Sequence, residues 1–347
     1  MTLRRWLLGI GSAILTLFLI LVLVKVGKVN LRVTLEQLRT VSWFSFTKLF
    51  LLNCLLVYLS TEKWRSIDAA WRRPSDRAPS RLIAFTHTSA GLALGIFLPV
   101  QLAMSMARTF GTQTHGRPLK RGAAGTLLEQ SFDVLTVCFL AAASAITRFY
   151  RGGGTMWMLA AAGAMLLVLL AVEPSVRLIR RLARLVASGS MSSRNKLAAI
   201  LQSLSELQHS GLLNARLARR LVTLSILRFT VVVLMSIETA DAIGVHIPFW
   251  QMAAAVPFVV IASVLALTPG GLGVNELTSV TALKMFGTPL TVGADWAVAN
   301  RILIAVSYIS VALCAAIVLG ARRVKIPRAT EADSDEKAVV GQHESTL

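Results

Sequence analysis

Between two apolar runs, Trp250 to Ala266 and Leu277 to Phe286, the chain reads Leu267-Thr268-Pro269-Gly270-Gly271-Leu272-Gly273-Val274-Asn275-Glu276. Four of these ten residues are Pro or Gly, and neither suits a helix interior. In hydrocarbon, irregular backbone is tolerated only where protein or a water-filled cavity satisfies its polar groups. The stretch therefore predicts a helical hairpin dipping into a bilayer, with a polar site at its tip where Glu276 opens the second helix.

The rest of the chain agrees with a bilayer. Of 347 residues, 55% are apolar, the mean hydropathy is +0.66, and several runs are long enough to span, which excludes an ordinary soluble globule. Against 17 acidic residues stand 36 Lys and Arg, a net charge of +19. The basic residues fall in connections between apolar runs, where orientation and anionic headgroups account for them. Few aromatic residues interleave with them, so nucleic acid is not an expected partner. Cys54, Cys138 and Cys314 lie inside apolar runs without a CxxC pair, so no zinc site or disulfide framework is expected. The histidines are scattered, with no HExxH, and no GxSxG, Walker or dinucleotide motif occurs. No catalytic residue, metal or cofactor is expected, and the chain does not read as an enzyme.

Taken in order, Trp6–Val24 reads as an uncleaved first transmembrane helix, since Lys25-Val26-Gly27-Lys28 is no cleavage site. A second span covers Trp43 to Ser60, followed by a polar loop with Glu62-Lys63-Trp64-Arg65. Next come a shorter run from Leu82 to Val100 ending in Phe97-Leu98-Pro99, a turn-rich connection Gly111–Gly125, and spans Thr126–Ile146 and Trp157–Val172. From Pro174 to His209, apolar stripes (Val176, Ile179, Leu182; Leu197, Ile200, Leu204) alternate with arginines, as in helices lying in the membrane interface. A span from Arg220 to Ala240, the Pro269 hairpin and a last span from Trp296 to Gly320 follow. This divides the chain into a membrane domain, about 1–326, and a disordered acidic tail, 327–347. Within the domain lie a first half (about 43–172), interfacial helices (about 174–210) and a second half (about 219–323).

Lys and Arg crowd Lys63–Arg81, Arg108–Arg121 and Arg177–Arg220 and follow the last span, so these places and both termini are expected in the cytoplasm of a multi-pass inner-membrane protein. Leu82–Val100 then has basic flanks on both sides and should dip in from the cytoplasm. Trp250–Phe286 has uncharged or acidic flanks and should dip in from outside. Phe97-Leu98-Pro99 answers Leu267-Thr268-Pro269, Phe110-Gly111 answers Phe286-Gly287, and a span with ionisable residues follows each. Two broken helices entering from opposite faces form the inverted-repeat design of many transporters.

Ionisable residues inside spans are costly and mark pathways or pair with one another. Glu129 and Asp133, four apart, share a helix face. Arg108 follows the first hairpin, Arg301 sits beside Asn300 in the last span, and Arg228 lies two turns inside its own. Arg108 and Arg301 suit an anionic headgroup, because guanidinium binds phosphate bidentately. Exposed N–H groups of Gly270, Gly271 and Gly273 are expected to add donors, with Pro99 and Pro269 shaping the two turns. Glu129, Asp133 and Glu276 either balance those charges or meet a cationic part of the substrate; the bland reading is buried ion pairs that lock the halves together. His87-Thr88-Ser89 reads as helix–helix polar glue.

These residues give the chain a resemblance to the lysylphosphatidylglycerol synthase transmembrane-region family. Pro269-Gly270-Gly271-Leu272-Gly273-Val274-Asn275-Glu276 is similar to the family's Pro-Gly-Gly-x-Gly-x-x-Glu signature. Gly95-Ile96-Phe97-Leu98-Pro99 with Arg108, Leu128-Glu129-Gln130 with Asp133, and Asn300-Arg301 extend the likeness from about Trp6 to Arg323. Two places depart from it: Gln130 stands where the family often has Arg, and Leu102-Ala103-Met104-Ser105 where it tends to have Gly-Asp. The resemblance implies a flippase-like domain that moves phospholipids between leaflets, with relatives in hopanoid and polyprenyl-linked glycan pathways. A soluble aminoacyl-transferase domain, as in the fused synthases, is not expected after the short tail.

The expected fold is thus an all-α polytopic membrane protein of about six to eight transmembrane helices plus two re-entrant hairpins in an inverted repeat. The expected function is translocation of a phospholipid or polyprenyl-phosphate-linked lipid, with these lipids as partners and a homo-oligomer as a further expectation. The alternatives are a non-transporting scaffold for a glycosyltransferase or lipid-synthesis enzyme, and an integral-membrane transferase.

Overall fold

The computed structural model describes residues 36, 38–71, 79–113, 119–187, 214–266 and 268–322. The predicted helix Trp6–Val24, the second interfacial stripe and the acidic tail lie outside them. The described chain is helical, with no strand among the described residues: α1 (Trp43–Trp71), α2 (Arg81–Leu94), α3 (Val100–Gln113), α4 (Leu119–Phe149), α5 (Gly154–Ala187), α6 (Ala215–Ala242), α7 (Phe249–Leu265), a 3-10 turn (Pro269–Gly271), α8 (Val274–Met285) and α9 (Leu290–Ala321). Five stretches among the described residues are long and apolar enough to cross a membrane: Trp43–Ala70, Gly125–Phe149, Gly154–Arg177, Ala215–Ala242 and Leu290–Ala321. The protein is an all-α polytopic membrane protein.

Three helices build the frame, and each buries a seam spaced alternately by three and four residues. On α1 the seam is Leu49, Asn53, Leu56, Ser60, Lys63 and Ile67, all at most 1% exposed. On α4 it runs Thr126, Glu129, Asp133, Thr136, Leu140, and on α6 it includes Leu221, Ser225 and Arg228. That spacing keeps one stripe facing its neighbours along a whole helix, and small polar side chains in it let membrane helices approach closely. Aromatic anchors fix α4 and α6 to their neighbours: Trp157 donates its indole N–H to Ser144 (3.0 Å) and Trp296 donates to the Ser236 carbonyl (2.9 Å).

Charged contacts identify the two ends of the bundle. At one, Lys48 pairs with Glu238 at 3.0 Å. At the other, Glu62 receives Arg65 at 2.7 Å and Arg81 and Arg220 at 3.5 Å. The α2–α3 hairpin starts at the Glu62 end, where Ser80 caps α2 by accepting the Ile83 N–H. It returns antiparallel: a side chain at Gly91 would touch Met104 and Ala107, and one at Gly111 would meet His87. The α7–α8 hairpin starts at the Lys48 end, with Trp250 against Gly154. α2 and α3 have 14 residues each, α7 has 17 and α8 has 12. At 1.5 Å per residue these helices reach roughly 18–26 Å, short of a hydrocarbon core of about 30 Å. The hairpins come from opposite ends and their tips touch, the Gly270 N–H donating to the Leu98 carbonyl at 3.0 Å.

Several boundaries differ from the sequence reading. Glu62-Lys63-Trp64-Arg65 is not a loop; α1 runs unbroken to Trp71, because no Gly or Pro interrupts Ser60–Trp71 and the charges find partners inside the bundle. The connection Gly111–Gly125 is mostly helix, with α3 reaching Gln113 and α4 beginning at Leu119. α5 passes through Pro174 as one helix to Ala187, so the first interfacial stripe begins as a continuation of a span. Phe110-Gly111 lies inside α3, whereas Phe286-Gly287 ends α8, with Gly287 at φ +102°. The two pairs do not occupy equivalent places.

Candidate functional site

The second hairpin tip is wired through one residue. Gly270 has φ +57°, a left-handed conformation that glycine adopts without strain. Its carbonyl accepts Arg301 Nη1 at 2.7 Å and Asn275 Nδ2 at 3.4 Å, while Asn275 Oδ1 accepts the Ser263 hydroxyl at 2.7 Å. Glu276 sits three residues after Gly273 and accepts its N–H at 2.7 Å, half of a capping box that glycine, lacking a side chain, cannot reciprocate. The same carboxylate lies 3.8 Å from Arg301 Nε. The amides expected to be free for a phosphate are therefore occupied. Gly270 donates to Leu98, Gly271 to Thr268, Leu272 to Pro269 and Gly273 to Glu276. A turn buried among helices must satisfy its own backbone, and this one does.

At the first tip, Pro99 has no N–H to leave orphaned, and its carbonyl accepts Leu102 and Ala103 N–H at 2.9 and 3.0 Å, starting α3. Two turns further, Arg108 is 1% exposed. It forms an ion pair with Glu129, donates to the Ser60 carbonyl at 3.4 Å and lies 5.6 Å from the Trp64 ring. One turn along α4, Asp133 takes Lys63 at 2.5 Å on one oxygen and Arg228 at 2.7 Å on the other. Lys63 also donates to the Ser225 hydroxyl at 2.9 Å. Breaking such a buried pair costs roughly 3–5 kcal/mol, because the remaining charge is left unpaired.

These groups surround a cavity of about 280 Å³. At about 30 Å³ per molecule that is the volume of about nine waters. Of the predicted site residues, Arg108, Glu129, Asp133, Gly270, Glu276, Asn300 and Arg301 line it. Pro99, Pro269, Gly271 and Gly273 instead shape the tips. Gln101 and Met104 of α3 face Val256, Val259 and Ser263 of α7 across it. Among the described residues, Arg108 Nε, Arg228 Nε, Arg301 Nη2, Gln101 Oε1, Asn300 Oδ1 and Ser60 Oγ are buried polar atoms without a hydrogen-bond partner. His87 packs at Gly111 and is not part of the lining. Sequence reasoning missed Lys63, placed in a loop, and it did not join Arg228 to Asp133. The seam spacing on α1 was the signal that placed Lys63 indoors, seven residues after Leu56 and fourteen after Leu49. Among the described residues no group of His, Cys, Asp or Glu is disposed to hold a metal.

The family model described as the lysylphosphatidylglycerol synthase TM region matches residues 7–314. No curated protein and no solved structure matches the chain. The family match spans both hairpins, the charged cavity and all five apolar spans except the end of the last, and it gives the protein a membrane lipid-related role. The chain belongs to the lysylphosphatidylglycerol synthase transmembrane-region family.

Proposed function

We propose that this protein moves a lipid headgroup between leaflets through the cavity between the two hairpin tips, leaving the acyl tails in the bilayer and making or breaking no covalent bond. The observation that carries this reading is the tip-to-tip contact beside a headgroup-sized, charge-lined cavity. Four helices too short to cross, arriving in pairs from opposite ends, put irregular backbone at mid-depth, where transporters of this general design bind their cargo. In this reading both hairpins are re-entrant. The Glu62 end, with Arg65, Arg81 and Arg220, faces the cytoplasm of an inner-membrane protein, in keeping with the positive-inside rule.

Reconstitution in liposomes with a fluorescent phospholipid tests the transport. The wild-type chain is expected to expose inner-leaflet label to an outside quencher. Arg301→Ala and Glu276→Gln, which release the second tip, are expected to slow this at least tenfold. Wild-type liposomes behaving as protein-free ones, or variants as fast as wild type, would leave a scaffold for a lipid- or glycan-synthesis enzyme as the better reading.

Orientation has its own check. In a background without Cys54, Cys138 and Cys314, Ser80→Cys is expected to react with a membrane-impermeant maleimide only in inverted vesicles, and His246→Cys only in right-side-out ones. Labelling of both from one side would overturn the arrangement.

A further inference from the structure

We propose that the cavity selects a headgroup of net charge −1, a phosphodiester bearing hydroxyls, over one extended by an amine. The proposal takes its setting from the transport reading but concerns what binds, not whether it moves.

The argument begins with which charges are already occupied. Every carboxylate at the cavity has a cationic partner within the protein: Glu129 has Arg108, Asp133 has Lys63 and Arg228, and Glu276 has Arg301 together with the Gly273 N–H. An ammonium group on a headgroup would have to displace one of these cations and leave it unpaired in a low-dielectric site, an expensive exchange. The cations are in excess. Arg108, Arg228, Arg301 and Lys63 number four against three carboxylates, so these groups carry a net formal charge of +1. One monoanion neutralises it.

The unpaired atoms point the same way. Three arginines of the lining each keep one N–H without a partner: Arg108 Nε, Arg228 Nε and Arg301 Nη2. Guanidinium donors match phosphate oxygens in charge and geometry. The unpaired acceptors in the same lining are neutral amide oxygens, Gln101 Oε1 and Asn300 Oδ1, and the Ser60 hydroxyl oxygen. Neutral acceptors of that kind suit hydroxyl donors. A phosphodiester with a polyol beyond it supplies both halves at once, as phosphatidylglycerol or a sugar-bearing phosphodiester lipid does. Free inorganic phosphate shares the anionic part of this chemistry but lacks both the hydroxyls and the lipid tails.

The full-length chain in neutral detergent, titrated with short-chain lipids while the fluorescence of Trp296 in the lining is followed, separates these possibilities. Phosphatidylglycerol is expected to bind at least tenfold more tightly than its aminoacylated form. It is also expected to bind several-fold more tightly than phosphatidylmethanol, which has the same charge without hydroxyls. Asn300→Leu should erase the second difference and leave the first. Arg228→Gln, which lowers the cation excess by one, should reduce the first. An aminoacylated lipid binding as well as phosphatidylglycerol overturns the proposal, as does inorganic phosphate competing at lipid-like concentrations. Preference for phosphatidylglycerol in a chain that moves no lipid in liposomes would remove the transport reading and keep this one. Lipid movement without any charge preference would do the reverse.

Discussion

Replacing Asp133 with leucine is expected to lower the melting temperature of the detergent-solubilised protein by about 5–10 °C, from a loss of about 3–5 kcal/mol. Asp133 is the shared anion of two cations on two other helices, Lys63 of α1 and Arg228 of α6. Its removal strands both. Lys63 suffers most, because its side chain is fully buried and its other partners, Ser225 and the Glu129 carbonyl, are neutral. The double variant Lys63→Met with Asp133→Leu removes the buried ammonium too, and it is expected to recover more than half of the loss. Arg228, about a quarter exposed, can turn toward the polar cavity. Thermal unfolding followed by size-exclusion fluorescence reads both proteins. If the double variant melts lower than Asp133→Leu alone, the pair is not the unit described.

Gly270→Ala is expected to abolish lipid movement, a loss of more than tenfold, with a smaller loss of stability. Two effects coincide at this position. An L-residue at φ +57° carries a backbone cost of about 1–2 kcal/mol. Its methyl would also sit 2.2 Å from Arg301 Nη2 and 2.5 Å from the Ile96 carbonyl, so both the arginine and the other hairpin must retreat. Gly244→Ala is the control. It has φ +72° and open space around the added methyl, so it should share the backbone cost and keep the transport. Equal transport in Gly270→Ala and wild type would mean that the tip contact is dispensable.

The sequence made the second tip legible because its chemistry is local: Pro, three Gly and a Glu three residues after a Gly specify a turn, a left-handed residue and a helix start within ten positions. Glu129 and Asp133 were legible by their four-residue spacing. The partners were not, since an ion pair between Asp133 and Lys63 joins residues seventy positions apart, and nothing in either neighbourhood names the other. Lys63 was misplaced because a charged tetrapeptide after an apolar run reads like a membrane edge. Only its register with Leu49 and Leu56 argues otherwise. The free amides expected at the glycine turn failed for a physical reason: backbone at that depth has no water to bond, so it turned inward to Leu98, Thr268, Pro269 and Glu276.

The charged contacts at the two ends of the bundle also set a length. Lys48 and Glu62, which anchor α1 at either end, are fourteen residues apart, or about 21 Å of helix. A bilayer core of about 30 Å does not fit between them without tilt, snorkelling of the Lys48 stem or local thinning. Beside α1 the membrane is thus compressed, and a headgroup travelling near this face meets less hydrocarbon than in unperturbed lipid. The protein lowers the crossing barrier by the shape it imposes on its solvent as well as by the cavity it provides.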